Sequence, residues 1–490
     1  MNEHETLENG AVGASSNLLN EIMAQTKIRP DDEYYKVAQK GVQAFLTEIL
    51  QPKHAEEKVD KKQIDAMIEE IDRRMGLQVD EILHDLSFQE MESTWRGLKL
   101  LIERTDFREN IKIEMLNASK SDLAEDFEDA PDITSSGLYQ NVYTANYGQF
   151  GGEPIGLMVA DYEIGPGAAD LKLLQSCATV AAMAHAPFVA AAAPSFFTLK
   201  EYDELPKLKD LQSVFDGPQF IKWRGFRATE DSRYVGLAMP QMLLRNPYNS
   251  DNPIKEFSYN ESTKGQGRNY CWGRASIGLA NRMIESFAKY RWSPNIIGPQ
   301  SGGSMDALPT DLFVEDGKDT IIGPTEVTIS DRREYELSEQ GFIPLTMRKN
   351  ADNATFFSAN SVQKPKLFGN TDEGKQAELN YRLGTQLPYM MVICRIAHYI
   401  KVLQRENLGS WKGRMELEGE LNKWIRQYIA DQNNPTTDVR SRRPLRSADI
   451  KVLEVPGEAG WYQVKIEVTP HFKYMGANFT LSLTGKLETA

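Results

Sequence analysis

Two glycine-rich segments are the places in this 490-residue sequence where a phosphate group could bind. Gly165-Pro166-Gly167 follows an apolar run and precedes a helical pattern, where an α/β protein places a phosphate-binding loop. The segment GPQSGGS (298–304) is also loop-like, but it has no lysine to reach a phosphate. Neither segment has the Gly-Lys-Ser/Thr ending of a P-loop, and Pro166 removes one backbone donor. A tight turn is the simpler interpretation of both. An α/β enzyme that binds a nucleotide or phosphorylated ligand is the alternative.

The histidines and cysteines show no spacing that is typical of a catalytic or metal-binding site. The sequence contains no HExxH motif, no close cluster of histidine and carboxylate ligands and no G-x-S-x-G elbow. Cys177, Cys271 and Cys394 are too far apart for a disulfide framework or a zinc site, so we expect small buried hydrophobes in a reducing compartment. We therefore predict no catalytic residue, no metal site and no cofactor, in a chain that is not an enzyme.

Charge and hydropathy restrict the partners and the compartment. The net charge of -14 disfavours a nucleic-acid surface, which needs a positive field. The first residues, MNEHETLENG, are acidic, unlike a signal peptide. The longest apolar run, Cys177–Pro194, contains His185 and Pro187 and is too weak for a membrane span. We expect a cytoplasmic protein with no nucleic-acid partner and no direct membrane insertion.

Amphipathic patterns predict an N-terminal helical region. Residues 1–60 are expected to form an arm, mobile or docked on a partner, with one helix that ends at Pro52. Residues 61–110 contain two further amphipathic helices, one ending at Gly76 as its C-cap and one running through Trp95. Consecutive helices with apolar stripes need an apolar partner, so they form a bundle or dock on another chain.

Residues 111–375 alternate between strand-like and helix-like runs. The predicted strands are IKIEMLNA (111–118), GLMVADYEI (156–164), PFVAAAA (187–193), RYVGLAMP (233–240) and GFIPLTMRK (341–349). A helix is predicted over Ala168–Ala184. Alternating strands and helices indicate an α/β sheet with right-handed crossovers, and the continuous apolarity of the second and third strands indicates a sheet covered on both faces.

Residues 376–490 begin with helices and end with strands. One long helix is predicted through Leu379 to His398 with a kink at Pro388, and another through Met415 to Ile429. The basic segment RSRRPLR (440–446) is predicted to be a loop. Three antiparallel strands are then predicted over Ile450–Val455, Tyr462–Thr469 and Ala477–Leu487.

Apolar and polar residues alternate along the last two strands, so each has one apolar face. The apolar positions are Tyr462, Val464, Ile466, Val468, Phe479, Leu481 and Leu483. Strands that end a sheet leave an open edge, which can accept a strand from another chain. The strands can equally complete a sheet of their own chain, and the residue pattern leaves both arrangements open.

Five longer strings carry a resemblance to a known family. They are MESTWRGLKLLIERTDF (91–107), GEPIGLMVADYEI (152–164), FRATEDSRYVGLAMPQMLLRNPY (226–248), EVTISDRREYELSEQGFIPL (326–345) and LPYMMVICRIAHYIK (387–401). Together they resemble the large sheath subunit of the bacterial type VI secretion system, the larger partner of a two-component contractile sheath. The resemblance runs from about Met91 to the C-terminal strands and does not include residues 1–60.

The resemblance implies a structural role. Members of this family pair with a small sheath subunit and assemble with further copies into a helical sheath, connected to a baseplate, around a tube of ring-shaped proteins. Contraction propels the tube, and a separate AAA+ ATPase disassembles the contracted sheath. The implied fold is contractile-sheath-like and mixed α/β. It has an N-terminal helical region, a central mixed sheet and a C-terminal helix with antiparallel strands.

The same resemblance implies roles for the segments. Residues 61–110 would pack on the small sheath subunit, 111–375 would form the sheath body, and 376–490 would face the lumen. Terminal strands would be exchanged between copies through the seven apolar strand positions. The helix around 412–428 would lie against the inner tube. The candidate tube contacts are Lys412, Arg414, Lys423 and Arg426.

Overall fold

The computed structural model describes most of the chain. The described residues are 19, 22–24, 29–30, 35–49, 61–255, 257–263, 267–315, 318–349, 351–369, 371–409, 412–430, 432, 435–454 and 462–471. The chain divides into two units, residues 1–79 with 253–260, and residues 80–252 with 261–490. None of the described helices is long and apolar enough to cross a bilayer.

Helices and strands alternate through much of the described chain. The α-helices of six residues or more are α1 (Tyr35–Ile49), α2 (Lys61–Leu83), α3 (Leu86–Glu103), α4 (Lys120–Asp129), α5 (Ala168–Ala184), α6 (Leu211–Asp216), α7 (Ile221–Arg227), α8 (Ala275–Tyr290), α9 (Asp331–Glu339), α10 (Asp372–Gly384), α11 (Leu387–Glu406), α12 (Arg414–Arg426) and α13 (Thr437–Arg442). The strands are β1 (Met158–Ile164), β2 (Phe188–Ala192), β3 (Val235–Met239), β4 (Met242–Leu243), β5 (Trp272–Gly273), β6 (Ser304–Met305), β7 (Asp311–Glu315), β8 (Lys318–Ile322), β9 (Phe342–Met347), β10 (Ala354–Phe356), β11 (Leu445–Glu454) and β12 (Tyr462–Pro470). The mixed α/β class predicted from the sequence is confirmed.

The first unit is helical in its described part. Helix α2 continues through Gly76 to Leu83, so the prediction that Gly76 ends this helix is wrong. A Cβ added at Gly76 would lie 3.4 Å from Cδ2 of Tyr259, so the glycine leaves room for the tyrosine ring. The backbone N–H of Ser258 donates to the Asp72 carboxylate on the same helix at 3.2 Å. Gly76 therefore makes room for the Tyr259 ring and does not cap the end of the helix.

A six-stranded sheet organises the second unit, in the order β1-β2-β3-β9-β10-β6. Strands β1, β2, β3 and β9 are parallel, and β10 pairs antiparallel with both β9 and β6. All five residues of β2 are buried. Helix α5 packs on the face that carries Phe188 and Ala190, and α8 packs on the face that carries Val189. The sheet is thus covered on both faces, as its apolar strands predicted.

The predicted strand over 111–118 is wrong. These residues have no ladder partner in the described chain, and Met115 and Leu116 are more than half exposed. The segment leads to Ser119, the N-cap of α4, whose hydroxyl accepts a hydrogen bond from the N–H of Asp122. Its alternation of apolar and polar residues is local, and a strand also needs a neighbouring strand to pair with.

Two predictions for the C-terminal part are also wrong. The long helix through Leu379 and His398 is in fact two helices, because the chain leaves the helical path at Thr385 and Gln386. Pro388 therefore lies in the first turn of α11, where its missing N–H removes no helical hydrogen bond. The basic segment 440–446 is not a loop, since α13 contains its first residues and β11 begins at Leu445.

Within the second unit, buried charges join helix α3 to the segments that carry Arg245 and Glu261. The Arg245 guanidinium bonds to Glu92 of α3 at 2.7 Å and to Glu261 at 2.5 Å. All three side chains are less than 10% exposed. Glu92 also bonds to Arg96 at 2.6 Å. Because buried carboxylates need compensation, the Arg245 guanidinium stabilises both side chains inside the fold.

We predict that Arg245→Leu lowers the free energy of unfolding by about 3–5 kcal/mol, because two carboxylates lose their buried partner. Urea denaturation of the purified protein measures this loss. The matched control is Lys289→Ala, which removes an exposed pair with Glu285 and should cost less than about 1 kcal/mol. Equal losses in the two variants would contradict a structural role for the Arg245 network.

Two carboxylates lie near the carboxyl ends of β1 and β3, Glu163 as the penultimate residue of β1 and Glu326 beside Gln241, which follows β3. Glu163 accepts a hydrogen bond of 2.5 Å from Nε2 of Gln241, and the backbone N–H of Glu326 donates to the carbonyl of Gln241 at 3.0 Å. Oε2 of Glu326 is buried without a hydrogen-bond partner in the described chain. Burial and the negative charge of Glu163 raise the pKa of Glu326 to about 7.

The raised pKa predicts a pH dependence. A Glu326 pKa near 4.5 in the unfolded chain and about 7 in the fold means that the folded state binds the proton more tightly. The free energy of unfolding should therefore fall as pH rises from 4.5 to about 7. Glu326→Gln should reduce this fall and stabilise the protein at neutral pH, as measured by urea denaturation across that range. Glu125→Gln on the exposed side of α4 is the control, and an unchanged pH slope in Glu326→Gln would refute the assignment.

Candidate assembly interface

The C-terminal strands form a two-stranded antiparallel sheet on a core of their own. Ile450 of β11 lies opposite Ile466 of β12, and Val452 lies opposite Val464. Ile450 and Val452 are at most 1% exposed. The core that they enter contains residues from α11, α12 and the segment after α8. These residues are Val392, Ile396, Ile400, Leu421, Ile425 and Trp292.

The side chains of β12 alternate as its sequence indicates. Tyr462, Val464, Ile466 and Val468 are half-buried against this core. The residues between them, Gln463, Lys465 and Glu467, are exposed. On that polar face, the hydrogen bond from the Lys465 ammonium at 2.8 Å holds the pKa of Glu467 below its usual value. The four apolar residues pack within their own chain, and their role in joining subunits stays a prediction.

The backbone of β12 has one open edge. The N–H and C=O of Ile450 point away from β12, because both bond to the side chain of Asn422. Directly opposite residues of an antiparallel pair face the same way relative to their shared ladder, so Ile466 also points its peptide groups away from its partner. Val464 and Val468 follow by the period of two. No third strand pairs with this edge in the described chain.

The third predicted strand, Ala477–Leu487, lies outside the described residues, and with it Phe479, Leu481 and Leu483.

The four candidate tube contacts fall into two pairs. Lys412 bonds to Asn407 and to Glu420, each at 2.6 Å, and Arg414 donates to the carbonyl of Val452 at 3.2 Å. These two side chains are therefore engaged within the chain. Lys423 and Arg426, in the last turn of α12, are exposed, and the described chain offers them no hydrogen-bonding or ion-pair partner. Their spacing of three residues places them on one helix face.

The Gly165 loop carries its own anion. The carboxylate of Asp170, in the first turn of α5, accepts the backbone N–H of Gly165 at 2.7 Å. The Lys120 ammonium bonds to the same carboxylate oxygen at 2.7 Å. One backbone donor of the loop and the neighbouring Lys120 ammonium are thus already bound to a carboxylate. This arrangement disfavours a nucleotide or phosphorylated ligand at this loop.

The Gly298 loop is a tight turn. The N–H of Gly298 donates to the carbonyl of Phe356 at 2.7 Å, and the N–H of Gly303 donates to the carbonyl of Gly298 at 2.9 Å. Gly302 has a φ of +92°, and a Cβ there would lie 2.2 Å from the carbonyl oxygen of Asn295. The glycines are required by the backbone path, which accounts for them without a ligand.

Neither loop lines the cleft of about 380 Å³ that includes Leu205, Ile329 and Arg333. No group of three or more histidine, cysteine or acidic side chains among the described residues could hold a metal ion. Cys177, Cys271 and Cys394 are buried free thiols, as expected.

Asn422 and Glu418 of α12 contact β11 and were not predicted as site residues from the sequence. Asn422 bonds to Ile450, and Oε2 of Glu418 accepts the N–H of Val452 at 2.9 Å. A usable signal was the position of Asn422 beside Leu421, one turn before Ile425, on the side of the helix that enters the core. A polar residue at such a position needs a hydrogen-bond partner.

Two family models match the chain in succession. The EvpB/VC_A0108 tail sheath N-terminal domain matches residues 65–363, and the EvpB/VC_A0108 tail sheath gpW/gp25-like domain matches residues 376–487. A curated relative, the type VI secretion system sheath protein TssC1 of Pseudomonas aeruginosa, is 38% identical over 435 residues, covering 88% of this chain and 86% of the relative.

Two solved assemblies show a weak likeness in structure. A chain of the anti-feeding prophage baseplate aligns with a TM-score of 0.35 and 7% identity over 64% of this chain and 66% of that chain, just under two thirds of its length. A chain of the contracted anti-feeding prophage helical sheath aligns with a TM-score of 0.31 and 10% identity over 68% of this chain and 71% of that chain. The assignment rests on the sequence matches, which cover both parts of the chain. This protein belongs to the VipB/EvpB tail sheath family and is a structural sheath subunit of the type VI secretion system.

Proposed function

We propose that this sheath subunit pairs with a small sheath subunit and that the pairs stack into a helical sheath around an inner tube of ring proteins. Contraction of the sheath drives the tube outward, with a baseplate at one end, and a separate AAA+ ATPase takes the contracted sheath apart. The observation that carries the proposal is the match of both tail sheath domain models along the chain. The protein acts in the cytoplasm and is not an enzyme, which agrees with the carboxylate already seated in the Gly165 loop.

The open edge of β12 supports strand exchange as the joint between copies. Each backbone hydrogen bond that an incoming strand forms contributes roughly 0.5–1.5 kcal/mol, and ordering each of its residues costs about 1–2 kcal/mol. These terms nearly cancel. Burial of Phe479, Leu481 and Leu483, at roughly 1.5–3 kcal/mol each, would therefore decide the balance in favour of exchange.

Helix α3 supports the assignment of 61–110 as the surface for the small subunit. Ser93, Gly97 and Leu101 are the buried residues of this helix. Met91 and Trp95 are more than half exposed. Large apolar side chains that remain in water on one face indicate a surface for another chain.

Co-expression with the neighbouring genes tests the proposal directly. Negative-stain microscopy should show hollow tubular polymers that contain this chain and a smaller partner. Well-folded monomers or small oligomers under every condition, with no polymer, would overturn it and favour an α/β enzyme. A thermal-shift screen of nucleotides and phosphosugars would then be decisive, because a ligand at a hundred times its Kd adds about 2.7 kcal/mol.

Replacing Leu481 and Leu483 by Asp should leave the complex with the small subunit soluble and abolish tubular polymers. Burial of two unpaired carboxylates in a subunit joint is costly. Counting polymers by negative stain and sedimentation measures the effect. Thr480→Asp and Ser482→Asp place the same charges at the alternate, polar positions and serve as the control. Normal tubes from the Leu481 and Leu483 variant would exclude these residues from a joint.

Charge reversal of Lys423 and Arg426 should weaken binding to the inner tube without affecting the sheath. Exposed ion pairs contribute about 0.2–1 kcal/mol each, and the lattice repeats them in every subunit. The amount of tube protein that sediments with the sheath at low salt measures the loss, which we expect to be several-fold. Lys289→Glu on α8 is the control. Unchanged tube binding would place the tube on another face.

A further inference from the structure

The chain forms a π-helix, Gln140–Tyr147, a few residues before β1. The wider turn is visible at its end, where the N–H of Gly148 donates to the carbonyl of Tyr143, five residues earlier, at 2.5 Å. The π-helix is rare in proteins and occurs mostly as single-turn bulges, often at functional sites. Contacts from the rest of the fold must therefore favour this turn over an α-helix.

Three tyrosines, at intervals of four residues, form a row along this segment. Tyr139 stacks on Tyr143 with ring centroids 4.9 Å apart, and Tyr143 meets Tyr147 edge to face at 5.4 Å. The ammonium of Lys401, on α11, lies 4.3 Å from the ring centroid of Tyr143 and 3.8 Å from that of Tyr147. It also donates to the Tyr143 hydroxyl at 2.6 Å. Two rings and one hydroxyl thus hold a single cation.

Arg405, one turn further along α11, binds the end of the π-helix. Its guanidinium donates to the carbonyl of Tyr147 and, at 2.8 Å, to the carbonyl of Gln149. Carbonyls at the end of a helix have no partner within the helix and carry the negative end of its dipole, so a cation is favoured there. Lys401 and Arg405 therefore bind the rings and the terminal carbonyls of the same short segment.

Two further side chains of α11 are bound in the same manner. Nε2 of His398 bonds to the carbonyl of Ala184, at the end of α5, at 2.9 Å. The guanidinium of Arg395 lies 4.5 Å from the ring centroid of Phe287 on α8. Rings and carbonyls thus hold the cations of this helix, and none of them forms an ion pair with a carboxylate among the described residues.

These contacts join the two domains that the family models recognise. The π-helix and α5 lie within residues 65–363, α11 lies within 376–487, and all three belong to the second unit. Ring faces and carbonyl lone pairs accept a cation over a narrower range of directions than a point charge does. The two cations at the π-helix therefore fix the position of α11 both along and around its axis.

We propose that the π-helix Gln140–Tyr147 and the side chains of Lys401 and Arg405 form a latch, which holds the gpW/gp25-like domain in one orientation on the tail sheath N-terminal domain. With the latch closed, the segment keeps its wider turn and the two domains move as one body. Without the ammonium of Lys401, residues 143–149 open locally and α11 takes up a range of orientations. Lys401 and Arg405 act as positioning residues within a single chain, whichever partners the subunit has.

Hydrogen exchange of the purified full-length chain tests the latch. Lys401→Met keeps the aliphatic stem and removes the ammonium, so the amides of residues 144–149 should exchange roughly fivefold to tenfold faster through local opening. Lys401→Arg should bring these rates back to within roughly twofold of the original, because a guanidinium also binds ring faces. The control Lys375→Met removes an exposed cation of α10 and should leave residues 144–149 unchanged.

Exchange in β2 distinguishes local opening from a general loss of structure. The amides of Phe188–Ala192 are buried in the parallel sheet and should keep their rates in Lys401→Met. If they also exchange faster, Tyr143→Phe gives the local measurement, because it removes the hydroxyl acceptor and leaves both rings in place. We expect roughly threefold faster exchange at residues 144–149 in this variant, and unchanged rates in β2. Unchanged rates at 144–149 in both variants would overturn the latch.

Distances between two spin labels test what the latch positions. Glu125→Cys on α4 and Gln427→Cys at the end of α12 place one label on each domain, at exposed positions. The native cysteines are buried and stay in place. The distribution of distances should become about twice as wide when Lys401→Met is combined with Arg405→Met, because the ensemble then includes further orientations of α11. Equal widths with and without the two cations would show that other contacts set the orientation, and would overturn their positioning role.

Discussion

The need of every buried peptide group for a hydrogen-bond partner shapes the C-terminal part of this protein. Strand β11 meets it on one side through β12 and on the other through Asn422, Glu418 and Arg414. Strand β12 meets it on one side within the described chain. The sheet is therefore asymmetric, because β11 has partners on both sides and β12 has a strand partner on one side in the described chain. An open strand edge is a place where a strand of another chain can pair.

Helix α11 packs both on the C-terminal two-stranded sheet and on the body of the second unit. Leu387, at the start of α11, is buried in the core beside the parallel sheet, whereas Ile396 and Ile400 are buried in the core under β11 and β12. His398, between them, bonds through Nε2 to the carbonyl of Ala184 at the end of α5. Burial lowers the pKa of His398 to about 4, so the imidazole is neutral at physiological pH. Packed side chains along α11 thus link the C-terminal sheet with the parallel sheet.

Charge is used inside this protein to hold elements together. Arg245 compensates two buried carboxylates and connects α3 with the rest of its unit. Asp170 occupies the anion position of the loop before α5 and pairs with Lys120. In both places a constellation that could serve binding or catalysis is complete within the chain, which suits a subunit whose work is mechanical.

The sequence by itself determined the family, the mixed α/β class and the individual strands of the parallel sheet. Long strings in a fixed order identify a family, and buried parallel strands are continuous apolar runs that can be recognised locally, as in Phe188–Ala192. The alternation of apolar and polar residues along β12, from Tyr462 to Val468, could be recognised locally as well. Amphipathic periodicity depends on nearest neighbours along the chain, so no distant contact is needed to see it.

Only the tertiary structure decided which of these patterns found partners. Residues 111–118 alternate like a strand, yet no strand lies beside them in the described chain. Gly76 has the residue type of a helix end and instead makes room for Tyr259, far along the sequence. Lys412 and Arg414 carry the charge expected of a docking surface and are bound within the chain. Asn422 meets Ile450 across 28 residues, so the edge that it closes could not be read from local pattern. Hydrogen bonds and ion pairs depend on atoms being within about 3 Å of each other, and for residues distant in sequence only the folded chain sets that distance.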